Sequence, residues 1–239
     1  MTDATPPDPN PVDPTPVDGQ PRPGRFITLE GGEGAGKSTQ IAALCAWLGT
    51  RGVTAVRTRE PGGAPGAEEI RRLLVTGEPG KWDAITEALL MNAARRDHVV
   101  RTIRPALARG DWVVCDRFYD STLVYQGIAG GVPMATLRNL IDAAVEDTRP
   151  DLTLILDIDP QTGLDRAGAR AAGGAGEGAA GAETRFERKG SAFHIRVCEG
   201  FRDLAAREPE RCVLIDAAQP VDAVTRDILS AVSARLRLG

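Results

Sequence analysis

The run Gly31-Gly32-Glu33-Gly34-Ala35-Gly36-Lys37-Ser38 constrains this chain more than any other segment. It fits G-x-x-x-x-G-K-[ST] and separates a strand-like stretch from a helix-like one. Phe26-Ile27-Thr28-Leu29 lead into glycines whose freedom to take φ > 0 lets successive backbone N–H groups converge on one anion. Ile41, Leu44, Cys45 and Leu48 then recur at the spacing of one helix face, which sets that anion at a helix N-terminus. The segment reads as a phosphate cradle, with Lys37 adding a point charge and Ser38 a hydroxyl suited to the Mg²⁺ that accompanies a nucleotide. Lys37 is one of only three lysines, with Lys81 and Lys189, so a lysine here is not background. A plain glycine-rich turn with a solvated lysine is the competing reading, and the flanking strand and helix argue against it.

With 239 residues, 42% of them hydrophobic, the chain can bury one sizeable core with room for a mobile insertion. A formal charge of −4 excludes a broad basic field for nucleic acid or an anionic membrane, although arginines cluster around Arg95, Arg96 and Arg101. Cys45, Cys115, Cys198 and Cys212 form no C-x-x-C pair and read as free thiols in a reducing compartment. No apolar run approaches the roughly 20 residues of a membrane span, and the start lacks a secretory signal. A cytoplasmic protein is expected. Eight of the seventeen prolines precede Arg25, so residues 1–24 are expected to be a disordered Pro/Asp-rich tail, either inert or a ligand for a proline-binding domain.

The pattern predicts further strands at 53–58, 112–115, 152–156 and 212–215. Helices are predicted at 67–75, 84–108, 133–146, from Pro160, at 192–206 and from Val221. Short apolar strands alternating with helices point to an α/β domain over 25–239, a doubly wound parallel five-stranded sheet flanked by helices. Ligands of such a sheet bind at the carboxyl ends of its strands.

Three segments fall at such ends: the glycine loop, Thr58-Arg59-Glu60-Pro61-Gly62-Gly63 and Asp116-Arg117. The second combines charge with turn-forming residues, which favours a binding loop over a plain connection. Arg71 offers a bidentate fork to a phosphate, though a solvated helix arginine is the commoner fate of such a residue. Asp116 suits indirect Mg²⁺ coordination or orientation of an arginine, and Arg117 suits an acceptor phosphate. Ser121-Thr122 and Tyr125-Gln126 follow within one stretch of turn and helix. Residues 171–182 are a glycine-alanine run bounded by arginines, either a lid that closes over a nucleotide or a tolerated surface insertion.

Together these segments resemble the bacterial thymidylate kinases of the P-loop nucleoside monophosphate kinase group. The matching residues are Phe26 to Gln40, Thr58 to Gly63, Ile70 to Leu74, Ala93-Ala94-Arg95, Asp116-Arg117 through Ser121 to Tyr125-Gln126, and Pro150 to Asp157. The resemblance implies phosphorylation of dTMP to dTDP by ATP and Mg²⁺, in a fold with a mobile lid at about 166–190, within a homodimer. It implies that Gly31, Gly32, Glu33, Gly34, Ala35, Gly36, Lys37, Ser38, Thr39 and Arg166 hold ATP. Ser38 and Asp116 would serve the metal. Glu60, Pro61, Arg71, Met91, Arg95, Arg117, Thr122, Tyr125 and Gln126 would hold dTMP, with Arg71 and Arg117 on its phosphate and Arg95 on its base. Catalysis would fall to Lys37, Arg117, Glu33 and Arg170, because members without an arginine inside the glycine loop take the catalytic arginine from the lid.

Two positions depart from that family's pattern. Met91 stands where a phenylalanine usually stacks on thymine, and it reads either as a softer stacking partner or as helix packing. Gly168 replaces an arginine between Arg166 and Arg170, leaving Arg166, Arg185 and Arg188 as further candidates for charge stabilisation. A kinase for another monophosphate would differ around Met91, Arg95 and Gln126. A GTP-dependent switch would carry Asn-Lys-x-Asp, whereas the nearest register is Asn139-Leu140-Ile141-Asp142. A silent nucleotide-binding regulator would not need Arg71, Arg117 and Arg170.

Overall fold

The computed structural model describes residues 24–78, 80–172, 186 and 189–236. The expectations for residues 1–23 of the tail, 173–182 of the glycine-alanine run and Arg185 and Arg188 fall outside these residues.

Strand β1 (Phe26–Gly31) feeds the glycine loop and helix α1 (Lys37–Thr50). Strand β2 (Ala55–Arg59) precedes α2 (Pro65–Val75), α3 (Ala84–His98) and, after a π-helical turn at Val99–Ile103, α4 (Arg104–Ala108). Strand β3 (Trp112–Asp116) leads to the short α5 (Tyr119–Thr122), a second π-helical turn (Leu123–Ile128) and α6 (Met134–Val145). Strand β4 (Leu152–Asp157), α7 (Pro160–Ala172), α8 (Ser191–Arg207), β5 (Cys212–Asp216) and α9 (Val221–Leu236) complete the order. All neighbouring strands run parallel, in the order β2-β3-β1-β4-β5. The expected five-stranded doubly wound sheet is the observed one.

Alternation along each central strand explains the two covered faces. Ile27, Leu29, Val114, Leu152, Leu154 and Leu156 point to the side of Ile41, Leu44 and Leu48 on α1 and Val224, Ile228 and Val232 on α9. Phe26, Val113 and Cys115 point the other way, against Val99, Ile103, Leu137 and Ile141. Ile155 on the same side meets Val197 and Phe201 of α8. Apart from the buried Thr28–Thr153 hydroxyl pair and the Asp120–Arg211 ion pair beside it, both faces are apolar, and further polar residues gather at the carboxyl edge of the sheet.

Two element expectations need correction. Helix α2 starts at Pro65 rather than Ala67, because proline suits the first helical position, where its missing N–H costs nothing. The stretch 84–108 is not one α-helix: Asp83 caps it, accepting from the Thr86 N–H at 2.7 Å, and the π-helical turn interrupts it after His98. That interruption and the one at 123–128 flank polar side chains, as π-turns often do at functional sites.

Candidate active site

The glycine loop is built by close backbone contact. Gly34 has φ 68° and rests against α7, where a Cβ would overlap the carbonyl oxygen of Gly163. A Cβ on Gly163 would in turn overlap the carbonyl oxygen of Glu33. Lys37, buried at the start of α1, turns back so that Nζ donates to the carbonyls of Gly32 at 2.9 Å and Gly31 at 3.2 Å. Ser38 and Thr39 stay exposed at the helix N-terminus, and Ser38 Oγ donates to Asp116 Oδ2 at 3.2 Å.

Arg117 follows Asp116 with φ 65°, a left-handed conformation costing an arginine about 1–2 kcal/mol. Hydrogen bonds hold it there. Its N–H donates to Leu29 O at 2.9 Å, and its guanidinium donates to Gly31 O at 2.9 Å, Glu33 Oε1 at 3.0 Å and Ser121 Oγ at 3.3 Å. Burial opposes ionisation of Glu33, but Arg117, Lys37 and the Tyr125 hydroxyl donating at 2.9 Å outweigh it, holding the carboxyl below its usual range. Burial also pushes the Tyr125 phenol well above its ordinary pKa, so it stays a neutral donor.

A second polar group lies behind β2. Arg95 is almost fully buried: Nε donates to Glu60 Oε2 at 2.8 Å, one amino group to Asn92 Oδ1 at 2.7 Å and the other to Thr122 Oγ1 at 3.0 Å. The other Glu60 oxygen pairs with His98 Nδ1 at 3.0 Å, while His98 Nε2 and Thr58 Oγ1 are 2.7 Å apart. Arg71 donates to the carbonyl of Pro61 at 2.7 Å, and Gln126 Nε2 to Glu87 Oε2 at 3.1 Å.

Between these groups opens a cleft whose empty space, open solvent included, is about 560 Å³. Glu60, Pro61, Arg71, Met91, Arg95, Arg117, Thr122, Tyr125 and Gln126, the residues expected to hold the acceptor, all line it. Glu33 lines it too and is therefore shared with the glycine loop. Met91 lines the cavity and packs against the cluster of Tyr125, Phe186 and Phe193.

Residues 29–228 match the family model described as thymidylate kinase. This chain belongs to the thymidylate kinase family. The thymidylate kinase of Caulobacter vibrioides is 53% identical over 215 residues, covering 90% of this chain and 99% of the relative. That of a Jannaschia species is 51% identical over 217 residues, covering 90% and 98%. A crystal structure of thymidylate kinase from Ehrlichia chaffeensis matches with a TM-score of 0.69 and 32% identity, over 88% of this chain and 100% of that one.

Around the site of this thymidylate kinase family member the structure adds residues that the sequence left unassigned. Glu30 accepts from the Phe118 N–H at 2.7 Å and the Ser121 hydroxyl at 2.6 Å. Glu87 and His98 partner Gln126 and Glu60, while Phe118 and Phe186 line the cavity. Glu87 carried a signal, since it lies four residues before Met91 and eight before Arg95 on one helix face. Phe186, beyond the low-complexity run, carried none. Arg166 donates to Ala217 O at 3.0 Å, and Arg170 belongs to α7, its side chain being outside the described part of the structure.

Proposed function

We propose that this cavity is the acceptor site of a reaction in which the γ-phosphoryl group of ATP is transferred to dTMP, giving dTDP and ADP for dTTP synthesis. The observation that carries the reading is spatial. The cavity meets the glycine loop at Glu33 and Arg117, so an acceptor phosphate inside it adjoins a phosphate held by the loop.

Phosphoryl transfer asks a protein for alignment and charge stabilisation rather than covalent help. Backbone N–H groups of Gly31 to Gly36, with Lys37, Ser38 and Thr39, hold the ATP phosphates, and Arg166 belongs to the nucleotide side. Arg71 and Arg117 clamp the acceptor phosphate. Arg95 has five N–H donors, three of them used by protein acceptors, and offers the rest to the thymine edge beside Gln126 and Thr122. Tyr125 and Glu33 stand on the sugar side, and Glu60 and Pro61 wall the pocket. Arg170 from the lid helix neutralises charge on the phosphoryl in flight, with Lys37.

Ser38 Oγ and Asp116 Oδ2 form a pair of hard oxygen donors suited to Mg²⁺. Among the described residues no three His, Cys, Asp or Glu side chains gather for a metal, which fits an ion held largely by substrate phosphates and water. Mg²⁺ there supplies neutralisation of phosphate charge. Among the described residues no helix is long and apolar enough to cross a membrane, in keeping with a cytoplasmic enzyme. A homodimer face is offered by α3, where Ile85 and Leu89, one turn apart, are each 50% exposed.

ADP formation with dTMP, dUMP, UMP, CMP, AMP and GMP as separate acceptors tests the reading. A strong dTMP preference is expected; preference for another monophosphate would move the specificity, and no turnover with any would overturn the activity.

A further inference from the structure

Glu30 is fully buried at the end of β1, under the turn that carries Arg117. Its two carboxylate oxygens reach the two ends of that turn: Oε1 takes the Phe118 N–H at 2.7 Å and Oε2 the Ser121 hydroxyl at 2.6 Å. Ser121 Oγ also receives the Arg117 guanidinium at 3.3 Å. Arg117 thus holds an unfavourable backbone conformation above a bidentate carboxylate that contacts no ligand position itself. A buried carboxylate is costly, and nothing in the packing of β1 requires one here.

We propose that Glu30 is a positioning residue for the acceptor phosphate clamp, fixing Arg117 through Phe118 and Ser121, and that its ionised form sets the clamp. The proposal rests on the reading of the cavity as the acceptor site. Glu30 faces Arg117 and Asp120 from the segment after β3, Cys115 from β3 and Cys212 from β5, and Asp120 is itself tied to Arg211 at 2.7 Å. Burial, then the Asp120 charge, push the Glu30 carboxyl up to about 7 against the pull of Ser121, Arg117 and the Phe118 N–H. In its protonated form Glu30 presents one acceptor to Phe118 and one donor to Ser121, reversing the Ser121 hydroxyl. Glutamine presents the same pair at every pH.

The test is Glu30→Gln against the unsubstituted protein, with kcat and KM for the acceptor and for ATP measured from pH 6 to 8.5. At pH 6 the two are expected to agree within twofold; at pH 8.5 the variant's KM for dTMP is expected to be at least fivefold higher, with KM for ATP unchanged. Taking the ratio of the two proteins cancels the titration of the substrate phosphate. A ratio constant with pH, or an equal rise in KM for ATP, overturns the proposal in favour of a general structural role. Ser121→Ala, which removes the relay while leaving every residue of β1 unsubstituted, is the second variant should Glu30→Gln not fold; it is expected to raise KM for dTMP at least threefold and leave KM for ATP unchanged, and a normal KM for dTMP overturns the proposal. If another monophosphate proves the better acceptor and shows the same split, the dTMP reading fails and the Glu30 proposal stands.

Discussion

Gly34 of the glycine loop and Gly163 of α7 press backbone to backbone, with no room for a Cβ on either. The glycine loop is therefore seated on α7. Gly163→Ala is expected to push the loop off that seat at a cost of about 1–3 kcal/mol, the usual range for overpacking. Thermal unfolding is expected to shift down and KM for ATP to rise, while KM for dTMP changes little. An alanine variant with normal KM for ATP would show that the loop does not depend on this contact.

Arg71 and Arg170 are expected to fail in different ways. Arg71 lines the cavity and, as proposed above, clamps the acceptor phosphate, so Arg71→Ala should raise KM for dTMP about 10- to 100-fold, the worth of a charged hydrogen bond, with kcat nearly kept. Arg170→Ala should lower kcat by about 10³ or more, as expected of an arginine that meets the phosphoryl only in the transition state. Steady-state kinetics separate the two, and near-normal turnover of the Arg170 variant would remove that residue from catalysis.

Stability should carry the mark of Glu30. Its carboxyl sits at about 7 in the folded chain against an ordinary 4.5. Between those values the folded state holds a proton that the unfolded state has lost, so stability falls as pH rises. The contribution is complete below about 4.5 and gone above about 7, a span worth roughly 3 kcal/mol. Urea unfolding should show the unsubstituted protein and Glu30→Gln nearly alike at pH 5 and the Glu30→Gln variant the more stable of the two at pH 8. A difference that does not move would place the Glu30 carboxyl in the ordinary range.

Ile85 and Leu89 test the association state. If α3 is the homodimer face, Glu in place of both should give a monomer by light scattering at micromolar concentration, with the far-ultraviolet circular dichroism unchanged. A variant that keeps the parent mass would move the interface elsewhere.

What the sequence revealed, and what it did not, follows from locality. The strands and the glycine loop are local patterns, and Arg71, Arg95 and Arg117 sit beside turn signals or within motifs. Glu30 was hidden inside an apolar strand because its partners, Phe118 and Ser121, lie 88 and 91 residues away. His98 looked like part of a uniform helix until the π-helical turn placed it against Glu60. Gly163 reads as an ordinary helical residue, since the need for glycine comes from the facing Glu33 carbonyl. Contacts between segments far apart in the chain set these roles, and no spacing within one segment reports them.

Phe186 bears on the role of Met91. The two share the cavity wall, and the Phe186 ring lies 6.1 Å from that of Tyr125 in an edge-on arrangement. Phe186, just before α8, thus offers the cavity an aromatic surface where Met91 of α3 offers a thioether. Phe186→Ala should raise KM for dTMP about 3- to 10-fold, in line with an aromatic contact of about 0.5–1.5 kcal/mol. Met91→Leu, which keeps volume and apolarity, should change it by less than about twofold. If the leucine variant is the impaired one and the Phe186 variant is normal, the methionine sulfur itself is the wall against which the base rests.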